Sequence, residues 1–418
     1  MDFNRGYAVC MSAQILQIIK EKPSVKLPET IADKQLYSVF QPIYSFSNQA
    51  CVGAEVLLRG NRLADGVPLG AKECLKEPED VKKSDYVRMM NQMHLKSWLG
   101  HKPPDSWLFL NLDIHEVKSL SEFCLGDLFE ELNLKGHEVV IEIVESEIKD
   151  EKLFEQLISI LRDLGCLIAL DDFGAGHSNI DRIWKAQPDI VKLDRQVLLE
   201  ASKGARGQSI LKNLTRLIKE AGSISLLEGI ETQEQALLAM DVGVDLVQGF
   251  YFATPAKNLS AIQSGQQQVQ KITERYPAFI KEKHTLLQVQ KKSYEALFES
   301  LFGKPDFNAL ENEMKKVTQL SFVKRFFILD EFGYQVSEEC EEANKTALDI
   351  LKKGKGLCWK NRRYFLKALR NQSSVYVSQP YRSLIDMQLC LTVSRSILLD
   401  SGQVYVACFD LFYHDRQA

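Results

Sequence analysis

The stretch Cys166-Leu-Ile-Ala-Leu-Asp-Asp-Phe-Gly-Ala-Gly-His-Ser-Asn179 decides the fold. Its apolar part, Leu167 to Leu170, predicts a buried parallel strand, because it is continuously apolar and bounded by turn residues. Asp171 and Asp172 then lie where the strand emerges, at the end where parallel α/β folds build their sites. Two adjacent carboxylates in a dry cleft repel each other unless a cation lies between them, which indicates a divalent metal. Taken alone, the pattern also fits a carboxylate that only caps a turn.

The composition is that of a soluble globular protein with more than one domain. The chain has 418 residues, a formal net charge of −4 and 45% hydrophobic residues. These values predict two or three domains and no basic field for a DNA or RNA polymer. No apolar run reaches the length of a membrane span, and the N-terminus lacks the layout of a signal peptide. The 9 cysteines form no Cys-X-X-Cys pair, which favours reduced thiols, so we expect a cytoplasmic protein.

From Leu36 onward the chain alternates strands and helices. The predicted strands are Tyr37–Tyr44, Ala50–Leu58, Trp107–Leu112, Glu138–Val144, Leu167–Leu170, Ile190–Leu193, Ser223–Leu227 and Leu246–Phe252. The predicted helices are Asp85–Leu99, Leu120–Leu132, Leu153–Leu164, Gly207–Ala221 and Gln233–Met240. Repeated alternation with short connections predicts a parallel sheet, and this many units favours a closed barrel.

The pattern predicts four parts: an N-terminal helix and tether (1–30), a barrel (31–258), a connecting helix (259–303) and a smaller α+β domain (304–418). The connecting part is rich in Gln, Lys and Glu and carries Leu286, Val289, Leu297 and Leu301 at helical spacing, which predicts one long helix or a helix pair. Further helices are predicted at Ala13–Lys22 and Glu338–Leu351. The strands predicted for the last domain are Phe322–Leu329, Val375–Ser378, Gln388–Ser394 and Val404–Phe409.

Acidic and amide residues interrupt the apolar strands of the predicted barrel. Burying so many ionisable groups destabilises a core unless they are paired or hold ions. Oxygen ligands of this kind suit hard cations, Mg²⁺ or Mn²⁺. The residues concerned are Glu55, Asn111, Glu142, Asp171, Asp172 and Glu228, together with Lys192 and Gln248.

In this order, these motifs resemble the EAL family of cyclic-di-GMP phosphodiesterases, over roughly Lys34–Pro255. The motifs are Gln41-Pro-Ile43, Glu55-Val-Leu57, Glu142-Ile-Val-Glu145, Asp171 to Asn179, Lys192-Leu-Asp-Arg195, Glu228-Gly-Ile-Glu-Thr232 and Gln248-Gly-Phe-Tyr251. The resemblance implies a modified TIM (β/α)8 barrel with its first strand antiparallel. It also implies hydrolysis of cyclic-di-GMP to linear pGpG by a two-metal mechanism. The departures from the family pattern, at Val56, Gly60, Val144, Ala175, His177 and Asn179, remove no ligand.

The resemblance also implies a role for each residue. Glu55, Asn111, Glu142 and Asp171 would hold the first of two divalent cations, Mg²⁺ or Mn²⁺; Asp171 would bridge to the second, with Asp172 and Glu228. Glu55, Lys192 and Glu228 would be catalytic, Lys192 by orienting or activating the attacking water and Glu228 as base or ligand. Gln41, Arg59, Gln248 and Glu231 would bind substrate, Arg59 through its phosphate-matching fork. Glu145 would anchor the Asp172–Asn179 loop, which in this family is linked to dimerisation and activity control.

Other interpretations stay open. An exposed loop position suits His177 better than a metal site does. Asp113 fits a turn or a salt bridge, and Asp194 an indirect role in the site. A catalytically silent cyclic-di-GMP receptor is the alternative function, although the complete ligand set favours an enzyme. A generic two-metal nuclease is disfavoured, because no basic groove is indicated.

The last domain resembles PAS-like sensor domains of the Cache type, and the tandem resembles the YkuI type of EAL protein. The stretches concerned are Cys358–Phe365, Val377–Arg382, Leu391–Ser394 and Phe409–Leu411. The resemblance implies that Arg362, Tyr364 and Tyr381 face a pocket for an unknown small ligand that regulates the barrel. Core aromatics and surface arginines explain the same residues equally well. We also expect a homodimer, since the apolar stripe of the connecting helix permits one.

Overall fold

The computed structural model describes residues 30–112, 125–144, 151–175, 180–260, 262–338, 340–341, 354–372 and 374–413. The chain divides into two compact units, Met1–Pro277 and Ala278–Ala418. In the described part, no helix combines the length and the apolar character that crossing a membrane requires.

The first unit is a closed barrel. Its strands are β1 (Thr30–Ile31), β2 (Lys34–Ser45), β3 (Ala50–Arg62), β4 (Pro68–Leu69), β5 (Trp107–Asn111), β6 (Val139–Val144), β7 (Leu167–Phe173), β8 (Ile190–Leu193), β9 (Ile224–Leu227) and β10 (Leu246–Val247). Strands β3 and β5 to β10 are parallel to their neighbours, and β2 runs antiparallel between β10 and β3 and closes the ring. The short β1 and β4 pair with β2 and β3. This confirms the predicted fold class, a closed eight-stranded barrel with helices and one antiparallel strand.

Helices follow most of the parallel strands. They are α1 (Ala71–Leu75), α2 (Lys83–Leu99), α3 (Leu125–Leu132), α4 (Glu151–Asp163), α5 (Ile180–Ala186), α6 (Arg195–Ser202), α7 (Ala205–Glu220), α8 (Gln233–Val242) and α9 (Ile262–Glu299). In α4 the apolar face is buried, with Phe154, Leu157 and Leu161 at helical spacing. Side-chain oxygens begin two of them: Asp194 accepts from the backbone N–H of Gln196 at the start of α6, and Thr232 accepts from Gln235 at the start of α8.

The second unit is built on an antiparallel sheet. Its strands are β11 (Val323–Leu329), β12 (Cys340–Glu341), β13 (Tyr376–Val377), β14 (Tyr381–Arg382), β15 (Leu389–Leu398) and β16 (Val404–Phe412), and its helices after α9 are α10 (Phe307–Val317) and α11 (Arg363–Arg370). The order is β12-β11-β16-β15-β13, with β14 also on β15. Adjacent residues of β11 point to opposite faces of the sheet and pack into two separate cores. Phe326 packs with Phe298 and Leu301, whereas Phe327 packs with Tyr364 and Phe365 of α11.

Several expected elements differ from those observed. The last barrel strand ends at Val247 instead of Phe252, because the backbone turns after Gly249, whose carbonyl accepts from the N–H of Phe252. The helix expected over Glu338–Leu351 is wrong at its start, since Cys340–Glu341 pairs antiparallel with β11; 342–353 and the helix expected at Ala13–Lys22 lie outside the described residues. The connecting part is one helix, α9, in which Leu297 is buried and Leu286 and Val289 are exposed.

Cysteines of the described part are free thiols. Cys74, Cys166, Cys390 and Cys408 are buried, as their apolar surroundings in the sequence indicate, whereas Cys358 is exposed. Burial raises the pKa of the Cys166 thiol to about 12, so this group stays protonated and behaves as a small apolar side chain.

Gly136 allows the turn before β6 to pack closely against the turn before β7. A Cβ at this position would lie 1.9 Å from the carbonyl oxygen of Leu164. We expect Gly136→Ala to lower the free energy of unfolding by about 2 kcal/mol or more, because backbone must move to relieve the overlap. The measurement is urea denaturation, with Gly204→Ala as the matched control, since nothing lies within 4 Å of a Cβ there. Equal midpoints for the two variants would contradict the steric argument.

A buried histidine joins α2 to the barrel. The His94 Nδ1 lies 2.8 Å from the Ser38 hydroxyl of β2, and burial lowers the pKa of His94 to about 4. In the unfolded chain this histidine is protonated below about pH 6.5, whereas in the folded chain it is protonated only near pH 4. Protons therefore favour the unfolded chain between these two pH values. We expect the free energy of unfolding to fall by roughly 3 kcal/mol more between pH 7 and pH 4 than it does in His94→Gln. His101→Gln, at an exposed site, is the control and should keep the full pH dependence.

Candidate active site

The polar residues predicted for the site form one layer inside the barrel. An apolar floor lies below them, made by Phe109, Val140, Ala169, Ile190, Leu226 and Leu246 of β5 to β10. Side chains two positions apart in a strand point to the same side. Two positions after each floor residue stand Asn111, Glu142, Asp171, Lys192, Glu228 and Gln248. The antiparallel pair β2 and β3 adds Gln41 directly opposite Glu55.

Lys192 lies at the centre of this layer. Its side chain is 1% exposed, and its Nζ lies 2.6 Å from Glu142 Oε1, 2.9 Å from Asp171 Oδ1 and 2.7 Å from Glu228 Oε1. Glu142 is fully buried, whereas 22% of the Glu228 side chain is exposed. One ammonium thus holds carboxylates from three neighbouring strand ends together.

The protonation equilibria reflect an excess of negative charge. Burial raises the pKa of Glu142 well above its usual value; Lys192 opposes this shift, and Glu55 and Asp171 add to it. Burial and the same neighbouring carboxylates raise the pKa of Glu228 to about 8, against the effect of Lys192. Burial alone would lower the pKa of Lys192, but the facing carboxylates outweigh it and hold that pKa well above the usual value. The layer therefore takes up protons or cations more readily than isolated carboxylates do.

Glu55 is held by two side-chain amides. Asn111 Nδ2 donates to Glu55 Oε1 at 3.0 Å, and Gln248 Nε2 donates to Glu55 Oε2 at 2.8 Å. These bonds join β3 to β5 and to the end of β10. Both amide groups point their nitrogens at the carboxylate, so the Glu55 side chain is fixed in one orientation.

A bulge lets two adjacent aspartates serve one site. In a regular strand, neighbouring side chains point to opposite faces. The register between β7 and β8 shifts after Leu170, and Asp172 has a φ of 56°, in the left-handed region. Asp171 is buried and contacts Lys192, while Asp172 is exposed at the mouth. Partial desolvation of its carboxyl group and the Asp171 charge raise the pKa of Asp172, so the two carboxylates interact electrostatically.

The residues predicted to bind substrate lie at different depths, with Gln248 buried in the layer beside Glu55. Arg59 Nη1 donates to its neighbouring carbonyl at Leu58, and Arg59 lines a cavity of about 350 Å³ together with Asn111 and His94. Gln41 Nε2 lies 3.4 Å from the carbonyl oxygen of Ala253. Glu231 differs from these: its carboxylate forms an exposed ion pair of 2.8 Å with Arg195. Asp194 caps α6 and also raises the pKa of Asp172.

Four predicted positions lie outside the described residues: Glu145, Asp113, His177 and Asn179. The expected anchoring of the Asp172–Asn179 loop by Glu145 therefore stays a prediction, as does the exposed position of His177.

The donor set of the layer fits hard divalent cations. Five carboxylates, those of Glu55, Glu142, Asp171, Asp172 and Glu228, face the single ammonium of Lys192. Glu142 Oε2 is buried and has no hydrogen-bond partner among the described residues. Over the same residues, no three His, Cys, Asp or Glu groups form a ready cation cage, and the innermost oxygens face Lys192 instead. The charge excess and the free oxygen fit a metal, and a bound cation would share this layer with Lys192.

In the second unit, the three residues predicted for a ligand pocket line one cavity. Arg362, Tyr364 and Tyr381 surround it with Trp359 and Phe327. The Tyr364 and Tyr381 rings are stacked with centroids 6.4 Å apart.

Sequence reasoning missed the buried ion pair beside this cavity. Arg325 of β11 is 1% exposed, and its Nε lies 3.1 Å from Asp410 Oδ2 of β16. The signal was available, since each residue is a charge within an apolar strand, and buried charges of this kind are paired.

Fold and site together define an α/β barrel protein with an acidic centre at the carboxyl ends of its strands. The chain belongs to the EAL-domain family: the model of the EAL domain matches residues 24–255, which is more than half of the chain. This agrees with the family that the sequence motifs resemble.

Individual relatives support the same assignment. The cyclic di-GMP phosphodiesterase RocR of Pseudomonas aeruginosa is 26% identical over 244 residues, which are 57% of this chain and 62% of RocR. The probable cyclic di-GMP phosphodiesterase PdeN of Escherichia coli is 26% identical over 260 residues, 60% of this chain and 49% of PdeN. The chain thus spans about half to three fifths of the length of these two relatives.

A similar architecture is known from Bacillus subtilis. The EAL-domain containing protein YkuI is 27% identical over 314 residues, 71% of this chain and 75% of YkuI. The crystal structure of YkuI, in complex with substrate c-di-GMP and calcium, matches with a TM-score of 0.70 and 22% identity, over 96% of this chain and 99% of that one. This likeness shows a shared fold.

Lys192 should be indispensable to the stability of the metal-free barrel. We expect Lys192→Met to lower the free energy of unfolding at pH 7 by about 3–5 kcal/mol, because buried carboxylates lose the cation that compensates them. Lys203→Met is the matched control: Lys203 forms an exposed pair with Glu200, and its loss should cost less than about 1 kcal/mol. Chemical denaturation with chelator present measures both. An unchanged midpoint in Lys192→Met would mean that the carboxylates need no ammonium.

Proposed function

We propose that the protein hydrolyses cyclic-di-GMP to linear pGpG in a reaction that requires divalent cations. The observation that carries this proposal is the layer of carboxylates around Lys192 at the carboxyl ends of the barrel strands. Membership of the EAL-domain family supports it, as do relatives that are named cyclic di-GMP phosphodiesterases.

We infer two cations, Mg²⁺ or Mn²⁺, held by Glu55, Asn111, Glu142, Asp171, Asp172 and Glu228. When bound, they would neutralise phosphate charge and lower the pKa of a water molecule. Asn111 and Gln248 fix Glu55, so that its carboxylate needs little reorganisation on binding. The Lys192 ammonium lies within hydrogen-bond reach of three carboxylates, and from there it would orient the attacking water.

Arg59 suits recognition of the substrate phosphate, and Glu228 suits proton transfer. Arg59 offers a planar fork of donors at the rim, which matches two oxygens of a phosphodiester. Glu228 combines a raised pKa of about 8 with partial exposure. In the metal-free layer this carboxyl group is mostly protonated at neutral pH; a bound cation would favour its ionised form, which would serve as ligand or as general base.

The alternative is a receptor that binds cyclic-di-GMP without turnover. One observation favours it: three of the innermost carboxylates are engaged with Lys192, and the described residues form no ready cation cage. Binding and turnover must therefore be measured separately.

The deciding experiment compares the intact chain with Glu55→Gln. This change keeps the shape of the side chain but removes its charge, so the fold should survive while cation affinity falls. We expect pGpG formation with Mg²⁺ or Mn²⁺, abolished by chelator and reduced at least about 100-fold in the variant, consistent with losing a metal ligand.

Glu155→Gln, at an exposed position of α4, is the control and should retain full activity. Calorimetric binding of cyclic-di-GMP in calcium accompanies the assay. Tight binding without product in either metal would establish the receptor, and neither binding nor product would refute both functions.

We further propose a chain organised as a tether (1–30), the phosphodiesterase barrel (31–258), a connecting helix (259–303) and a PAS/Cache-like sensor domain (304–418) that binds a small ligand and regulates the barrel. A cytoplasmic homodimer completes the proposal. The exposed Leu286, Leu287 and Val289 of α9 support it, since they offer apolar surface to a second copy.

A further inference from the structure

The cavity of the second unit has walls of three kinds. Its lining includes the aromatic residues Trp359, Tyr364 and Tyr381, the apolar residues Leu384 and Ile385, and the charged residues Arg325, Arg362 and Asp410. The space between these walls is about 330 Å³, counted out to the solvent, but the enclosed part has room for little more than a water molecule. Its occupant is therefore small, or enters by one end.

Most charges around the cavity already have partners. Arg325 pairs with Asp386 at 2.6 Å and with Asp410 at 3.1 Å. Asp410 also accepts hydrogen bonds from the Thr392 hydroxyl at 2.7 Å and the Tyr381 hydroxyl at 3.4 Å. Lys324 contacts Asp386 from behind. Asp410 is thus already engaged by three donors.

Arg362 is the exception. Its guanidinium carbon lies 5.7 Å from the centre of the Trp359 ring, and the residue is half-buried. Within the residues that the structure describes, its side chain forms no ion pair and does not cap α11. Counted over the described residues, two arginines, one lysine and two aspartates surround the cavity, which leaves one positive charge in excess, at Arg362.

We propose that this cavity binds a small organic monocarboxylate, or the carboxylate end of a larger molecule, through Arg362. The guanidinium fork matches the two oxygens of a carboxylate, and the rings of Trp359 and Tyr364 pack against the apolar part of the ligand. The ligand carries no ammonium group next to its carboxylate, because Asp410 is committed to Arg325, Thr392 and Tyr381. The proposal names the ligand class of the proposed sensor domain and does not depend on hydrolysis in the barrel.

The test uses the intact chain with sodium acetate and pyruvate as probes. Isothermal titration calorimetry and Trp359 fluorescence report binding, at constant ionic strength. Acetamide replaces the carboxylate of acetate by a neutral group, and alanine adds an ammonium group. We expect saturable binding of at least one carboxylate, and at least tenfold weaker binding of acetamide and alanine.

Arg362→Gln should weaken the carboxylate at least tenfold. Arg363→Gln is the matched control, because Arg363 is the next residue, is exposed and does not line the cavity; it should bind like the intact chain. Trp359→Phe should lose the fluorescence change, which would assign that signal to the cavity.

Three outcomes would overturn the proposal: no saturable binding of any carboxylate, equal binding by Arg362→Gln, or equal binding of alanine or acetamide. Circular dichroism of each variant excludes a folding defect. Cyclic-di-GMP turnover is assayed apart, so failure of the phosphodiesterase proposal leaves this test unaffected.

Discussion

The contact of Lys192 with Glu142, Asp171 and Glu228 is the interaction on which the barrel site depends. Removing an ionised carboxylate from water costs several kcal/mol, and several carboxylates in one layer also repel one another. A single ammonium at 2.6 to 2.9 Å from all three offsets part of this cost. The raised pKa values of Glu142 and Glu228 show that the compensation is incomplete. The remaining excess of negative charge is what a site for divalent cations requires.

The barrel makes this concentration of charge possible. Each of the strands β5 to β10 contributes an apolar residue to the floor and, two positions later, a polar residue to the layer above. The strand period thus separates a well-packed core from the site by one side-chain layer. Only at Asp171 and Asp172 is the alternation broken, and there a bulge and a left-handed backbone at Asp172 present a second carboxylate. The strain of a non-glycine residue at positive φ is located at the mouth of the site.

The sequence predicted the barrel from the alternation of strands and helices, and the membership of its polar layer from ionisable residues in apolar strands and from the order of the EAL motifs. It could not predict the bulge, since local pairing decides whether Asp172 leaves the strand alternation. The end of β10 was misplaced because Phe250 to Phe252 are apolar yet form a turn after Gly249. Short helices such as α5 and α11 were missed because seven or eight residues carry little periodic signal. Arg325 and Asp410 lie on strands that are adjacent in the sheet but far apart in sequence, so the sequence pattern marks each as a buried charge without identifying its partner.

Local charge, rather than the net charge of −4, decides what each site can take. The barrel layer places five carboxylates around one ammonium and therefore lacks positive charge. The cavity of the second unit satisfies both of its aspartates through Arg325, Lys324 and hydroxyl donors, and leaves Arg362 without a counter-ion among the described residues. Coulomb energies near a protein surface fall to a few kcal/mol within several ångströms. Each site therefore responds to its own immediate imbalance, so an acidic chain can contain both a centre that attracts cations and a cavity that attracts an anion.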